Sequence, residues 1–364
     1  MFLIFFANAG YPLLLYIRAR LWPDPVRRAN IFPSVTILLA VYNEGRNLPG
    51  KLANLAALDY PTELLDMIVV SDNSTDETDE ILAAWEGPRR RSIKLPIHQG
   101  KAAALNAGAA EASGEIIVFT DARQVIEPSA LSKLIANFAD PRVGCVSGEL
   151  VLKENRTTQP SEGLGLYWSL EKNIRHWEGI VGSTVGATGA LYAVRRKLLV
   201  TIPRDLILDD VYIPLEIVRQ GQRVVFEPQA RAWDDLSSIA RHEFGRKLRT
   251  LAGNYQLLQF APWLLTTSNP LLLEFVCHKV LRLMVPFALL SLLVSTLWLR
   301  EGLYGFVLVL QIVFYVLAGL GLFRLRLGLL SRLSNISLAF TVLNTAACLA
   351  FIYFITGRKV AWTQ

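Results

Sequence analysis

Three stretches near the carboxyl end carry no charge: residues 283–299, 302–323 and 333–356, of 17, 22 and 24 residues. In a bilayer, backbone polar groups must be satisfied within the segment, so runs of this length are restricted to helices. About 20 apolar residues, at about 1.5 Å each, cross the hydrocarbon core. The last two stretches are therefore spanning candidates, and the first is one if it tilts little. Residues 2–17 are also uncharged. At roughly 24 Å they make a short span whose flanking Arg18 and Arg20 snorkel, or a helix that starts upstream of Met1. No basic leader or small-residue cleavage site marks them as a removed signal.

The remaining length suffices for one sizeable soluble domain. Lys and Arg total 37 against 31 Asp and Glu. Much of that excess flanks apolar runs, at Arg18, Arg20, Arg27, Arg28, Arg324, Arg326 and Arg332, as in loops kept on the cytoplasmic side. No basic stripe interleaves with exposed aromatics, which argues against nucleic acid as a partner. Cys145, Cys277 and Cys348 are far apart, without a Cys-x-x-Cys pair, so neither a disulfide framework nor a zinc site is expected. His98, His176 and His242 are scattered, against a His-based metal site.

Between residues 33 and 235 apolar runs alternate with helical patterns. Strands are expected at 34–41, 67–71, 92–98 and 115–120, with helices at 47–58 and 101–112. Ser74 and Glu77 read as a capping box opening a further helix. Such alternation implies an α/β domain with a mostly parallel sheet covered on both faces. The expected organisation is a membrane helix (1–17), a basic linker (18–32), a catalytic domain (33–235), an amphipathic interfacial segment (236–278) and a membrane bundle (279–364). Three spans after a cytoplasmic domain would put Arg358 and Lys359 on the far side, against the charge rule, so the span count is uncertain by one.

The chemistry gathers where strands end. Open α/β sheets bind ligands beyond the carboxyl ends of their strands. Tyr42 there can pack on a nucleobase and Glu44 accept a base N–H; alternatively the loop caps the next helix through Asn43. Asp72 can accept from a ribose or a uracil-like N–H, or form an Asx turn with Ser74 and Thr75. Asp121 is the leading metal ligand, since Mg²⁺ or Mn²⁺ needs one or two carboxylates plus diphosphate oxygens. Asp209 and Asp210 open a helical segment, as dipole partners or as a general base for a sugar hydroxyl. Arg246 and Arg249 share a helix face, where guanidinium forks match a diphosphate or anionic headgroups. Lys101 and Asn106 are weaker phosphate or ribose contacts. Gly186, Thr188 and Gly189 allow a sugar acceptor close to the backbone, or simply turn. Trp168, Trp177 and Trp233 are stacking platforms or core residues.

In this order the motifs resemble those of membrane-bound inverting family 2 glycosyltransferases, relatives of cellulose, chitin, hyaluronan and poly-N-acetylglucosamine synthases. The resemblance runs from about residue 34 to 254 and implies a GT-A fold. It implies nucleotide binding, normally UDP, by Val41-Tyr-Asn-Glu44 and Asp72, metal at Asp121, and a catalytic base at Asp210. Arg246 to Arg249 stands where processive members carry Gln-x-x-Arg-Trp; here Arg replaces Gln and Thr250 replaces Trp. Arg123 stands at the second acidic position of the metal motif. The expected activity is transfer from a UDP-sugar, with inversion, to a glycan or lipid-linked acceptor at the inner membrane, for surface or extracellular polysaccharide. The catalytic domain would face the cytoplasm and membrane lipids surround the spans, with room for export or assembly subunits. Single transfer to a polyprenyl phosphate or lipid is the alternative. A transporter or scaffold with a degenerate sugar-binding domain is another, disfavoured by uncharged spans.

Overall fold

The computed structural model describes residues 1–153, 162–235, 240–323 and 328–358. Arg324, Arg326, Lys359, the boundary at 236–239 and the side chain of His242 lie outside the described residues.

Eight strands form one sheet: β1 (Val35–Val41), β2 (Leu65–Ser71), β3 (Arg90–Lys94), β4 (Ile116–Thr120), β5 (Val125–Ile126), β6 (Val143–Lys153), β7 (Leu191–Arg195) and β8 (Arg223–Asp235). Their order is β3-β2-β1-β4-β7-β6-β8-β5. The first four are mutually parallel, as the alternating pattern requires. β7 then runs antiparallel to both β4 and β6, making the sheet mixed. Chain order reverses beside β1, so the crevice between β1 and β4 is the switch point where ligands bind. Val41 pairs with Ser71 and Leu39 with Thr120, which brings Tyr42, Asp72 and Asp121 to one edge.

Every residue of β1 is buried, because helices cover both faces. Leu55 and Leu134 pack on one side, Leu105 and Ile217 on the other. Two local expectations need correction. β3 ends at Lys94, not 98, because residues 98–100 are drawn onto Asp72. Ser74 does not cap the helix Thr78–Trp85; its Oγ accepts from the Asn43 amide and the Ser71 hydroxyl, pinning two strand-end loops together.

Among the described residues, four helices are long and apolar enough to cross a membrane: Phe2–Leu21, Leu272–Leu299, Gly302–Gly321 and Leu329–Ile355. The second starts well before residue 283, across His278, Lys279 and Arg282. His278 and Arg282 face the helix Glu162–Val181: His278 lies between Glu178 (2.8 Å) and Glu171 (2.9 Å), and Arg282 donates to Glu171 (2.5 Å). Tyr11 also donates to Glu178, at 2.8 Å, so the first helix joins this buried network. The last helix packs on the helix Ala240–Phe260, with the Tyr255 ring 5.5 Å from Phe351 and 5.8 Å from Phe354. That contact carries Arg358 to a cavity it shares with His98 and Lys101.

Candidate active site

Asp72 is fully buried at the end of β2. Its carboxylate accepts from the Gln99 and Gly100 amides at 2.8 and 2.7 Å and pairs with His98 Nδ1 at 2.8 Å. It thereby fixes the loop leading to the helix Lys101–Glu111, where Gly100 takes φ 89°. An Asx turn with Ser74 and Thr75 is not what its carboxylate makes. The His98 ring packs against Tyr42 at a tilt of 33°, with centroids 4.1 Å apart. Asn43 does not cap a helix; at φ 53° its Oδ1 accepts from the Thr75 amide. Glu44 accepts from Asn47 at 2.7 Å, and burial raises its carboxyl above the usual range despite that bond.

The second cluster forms between β4, β7 and the helix Asp209–Arg219. Lys101 Nζ donates to Asp121 Oδ1 at 3.0 Å and lies 3.2 Å from Asp209 Oδ1. Burial pulls the Lys101 ammonium down, but Asp121, Asp209 and Asp210 overcome this and hold it charged, above its ordinary range. Asp209 also accepts from the Tyr192 hydroxyl at 3.1 Å, so it is occupied on both oxygens. Asp210 accepts from the Gly189 amide at 3.0 Å. Burial, then the neighbouring Asp209 charge, pushes Asp210 up to about 6 against the pull of Lys101. A carboxylate raised into that range serves as a general base near neutral pH.

The segment from Gly186 to Gly189 wraps Asp210. The Ala187 amide donates to the Asp210 carbonyl at 2.7 Å, and the Thr188 amide to Ser147 Oγ at 3.1 Å. Gly189 leaves this wall open: a β-carbon there would lie 3.3 Å from Asp210 Oδ2, a tight contact, and 3.5 Å from Asp121 Oδ2.

Asp121, Asp210, Lys101, Gly189, Arg246 and Arg249 all line one cavity of about 260 Å³. Arg123 points to Asp234, at 3.1 Å, with Gln124 at 3.0 Å and Arg246 at 3.9 Å from the same oxygen. Trp168 lines the cavity with Lys247 above its ring at 4.3 Å. Trp177 packs edge-on against Tyr16, and Trp233 sits in β8 opposite Val125. Asn106 is not brought to this cavity; both ends of its amide bond the Ile202 backbone, at 2.8 and 2.9 Å.

Sequence reasoning missed Asp234, His98 and Lys51. Lys51 is buried and donates to Thr120 Oγ1 and the Gln124 carbonyl, both at 2.8 Å, under the turn that carries Asp121. No spacing rule links these residues to the motifs; sheet register alone brings them together.

For a divalent cation the donor set is small. Asp121 Oδ1 is engaged by Lys101, position 123 is Arg, and no cluster of three ligating side chains occurs among the described residues. Asp121 Oδ2 has no partner among the described residues. One such oxygen with diphosphate oxygens fits Mg²⁺ or Mn²⁺, which keep most of their sites for substrate and water.

Residues 36–202 match the domain described as Glycosyl transferase family 2. The poly-beta-1,6-N-acetyl-D-glucosamine synthase of Staphylococcus aureus (strain COL) is 26% identical over 247 residues, 66% of this chain and 60% of that one. The Staphylococcus epidermidis protein of the same name is 25% identical over 231 residues, covering 62% and 55%. The chain thus spans about 60% of the length of the curated relatives it matches. Among solved structures, the mannosyltransferase PcManGT from Pyrobaculum calidifontis, in complex with GDP-Man and Mn²⁺, superposes with a TM-score of 0.71. It is 23% identical and the match covers 98% of each chain, so the two share a GT-A fold.

Proposed function

The chain carries a glycosyltransferase family 2 domain at residues 36–202, and from that premise we propose that it transfers a sugar from a nucleoside diphosphate donor to an acceptor hydroxyl, with inversion, at a membrane surface. The observation that carries this reading is the placement of Asp210 opposite Asp121 across Gly189, in one cavity with Arg246 and Arg249. The nucleoside lies by Tyr42 and Glu44, beside the loop that the buried Asp72 holds in place, and its diphosphate by Asp121 and Lys101. Asp210 takes the proton of the acceptor hydroxyl as that oxygen bonds to the anomeric carbon. The bond to the diphosphate breaks on the opposite face, and Arg246 and Arg249 offset the charge that develops there. Asp121 would hold Mg²⁺ or Mn²⁺, which adds positive charge against the diphosphate oxygens when bound.

The motifs favour UDP as the nucleotide, and the acceptor is a glycan or a lipid-linked hydroxyl. We read the chain as a multi-pass protein of the inner membrane with its catalytic domain in the cytoplasm, acting in surface or extracellular polysaccharide synthesis; the candidate spans support its being multi-pass. Thr250, where polymer-forming relatives carry Trp, favours a single transfer as the second reading. Purified protein in detergent, offered UDP- and GDP-sugars with Mn²⁺ or Mg²⁺, is expected to release nucleoside diphosphate and lose that release with EDTA. Product size separates polymer from single addition. Absence of nucleotide release with every donor would sink the reading.

A further inference from the structure

A larger cavity, about 670 Å³, lies between the catalytic domain, the helix Ala240–Phe260 and the end of the last helix. Three guanidinium groups line it: Arg204 from the loop before Asp209, Arg249 from the helix Ala240–Phe260, and Arg358 just beyond Ile355. None of the three side chains has a hydrogen bond or ion pair among the described residues. The lining also includes Gly100, whose amide is taken by Asp72, and Lys101 and Ala102, which open an eleven-residue helix whose N-terminal dipole favours an anion. The lining also carries one acid, Asp205, whose carbonyl accepts from the Gln256 amide at 2.7 Å. Gathering like charges in a cavity costs energy that a bound anion offsets.

The position of the cavity selects the anion. It shares Lys101, Ile207 and Arg249 with the cavity over Asp121, so the two meet at those side chains. It includes His98, which is bound to Asp72, and none of Asp121, Asp209 and Asp210, so it meets the Asp121 cavity only through the shared Lys101, Ile207 and Arg249. It therefore opens on the nucleotide side of Lys101, away from the base. We propose that Arg204 and Arg358, with Arg249, bind the diphosphate of the nucleotide donor, the end of the last helix closing over it. This rests on reading the Asp121–Asp210 cavity as the transfer centre. It makes a residue beyond the last apolar helix part of the donor site. An anionic lipid headgroup offers the same phosphate chemistry, and the shared Lys101 wall favours the donor.

The test titrates the full chain in detergent with UDP, GDP, UMP and inorganic pyrophosphate by calorimetry, for the wild type, Arg204→Gln, Arg358→Gln and Arg358→Lys. Each Gln variant is expected to lose about tenfold in affinity for the nucleoside diphosphate and for pyrophosphate, the scale of a charge-assisted contact. UMP affinity should change far less, and Arg358→Lys should keep most of the affinity for diphosphate. The donor KM should rise in step, with kcat little altered. Unchanged diphosphate affinity in both Gln variants overturns the proposal, as does an equal loss for UMP. If the variants instead lose retention on anionic-lipid vesicles while holding pyrophosphate normally, the cavity is a headgroup site and the proposal falls. If the wild type binds no nucleoside diphosphate, the transferase reading falls with it; if it binds and the variants match it, only this inference does.

Discussion

Asp121 and Asp210 face each other across Gly189, their Oδ2 atoms 3.5 and 3.3 Å from where a β-carbon at that position would stand. One carboxylate ends a parallel strand and the other opens a helix, so their approach depends on β7 being antiparallel beside β4. The donor-side acid and the proposed base thus share a wall that is only backbone.

Gly189→Ala tests that wall. The added methyl would crowd Asp210 Oδ2 at 3.3 Å and touch Asp121 Oδ2 at 3.5 Å without entering the hydrophobic core. Turnover is expected to fall by about tenfold or more, since small misplacements of reacting groups are costly. The unfolding midpoint should stay close to wild type. Steady-state kinetics beside a thermal melt check this; an Ala variant with full turnover would show that the two acids do not act at one point.

Asp210→Asn keeps the shape and removes the base. Turnover is expected to drop by about 10²–10⁴-fold, the usual contribution of general base catalysis. Donor binding by calorimetry should be retained. In the wild type, Asp210 is raised to about 6, so its active, deprotonated form is lost as pH falls through that value. The pH–rate profile should therefore rise across about 6 and flatten above it, and no such limb should remain in any residual Asn activity.

Much of this arrangement was legible in the sequence. Asp72 and Asp121 each end an apolar run, and a charge that interrupts buried residues stands out. Asp209 and Asp210 open a helix after a turn, and Arg246 and Arg249 share a helix face. Partnerships across the fold were not legible. Asp72 with His98 depends on β2 lying beside β3, and Asp234 with Arg123 on β8 reaching the turn after β4. The start of the helix at Leu272 was hidden because His278, Lys279 and Arg282 look polar until Glu171 and Glu178 are placed opposite them.

Asp234→Asn separates stability from donor binding. Asp234 is buried and holds Arg123, Gln124 and, more distantly, Arg246. Losing its charge should cost about 1–3 kcal/mol of stability. It should also release Arg246 from a competing carboxylate, so the donor KM should fall while the melting temperature drops. A KM that rises, or that follows stability downward in affinity, would mean Asp234 aims Arg246 instead of restraining it.

Lys51→Met probes the floor beneath Asp121. Burial lowers the Lys51 ammonium from its ordinary 10.5 to about 7, with Asp121 pulling the other way. Between those values the unfolded chain binds a proton that the folded chain lacks, so this residue makes stability rise with pH across the interval. Below about 7 both states are protonated and the burial penalty is present in full. Melting midpoints measured at pH 7 and pH 9 should therefore increase for the wild type, and Lys51→Met should lose that increment. The Met side chain also leaves Thr120 Oγ1 and the Gln124 carbonyl without the amine that joins them, so the turn carrying Asp121 loosens. Turnover is expected to fall at both pH values. An identical pH increment in wild type and variant would show that another group sets the slope.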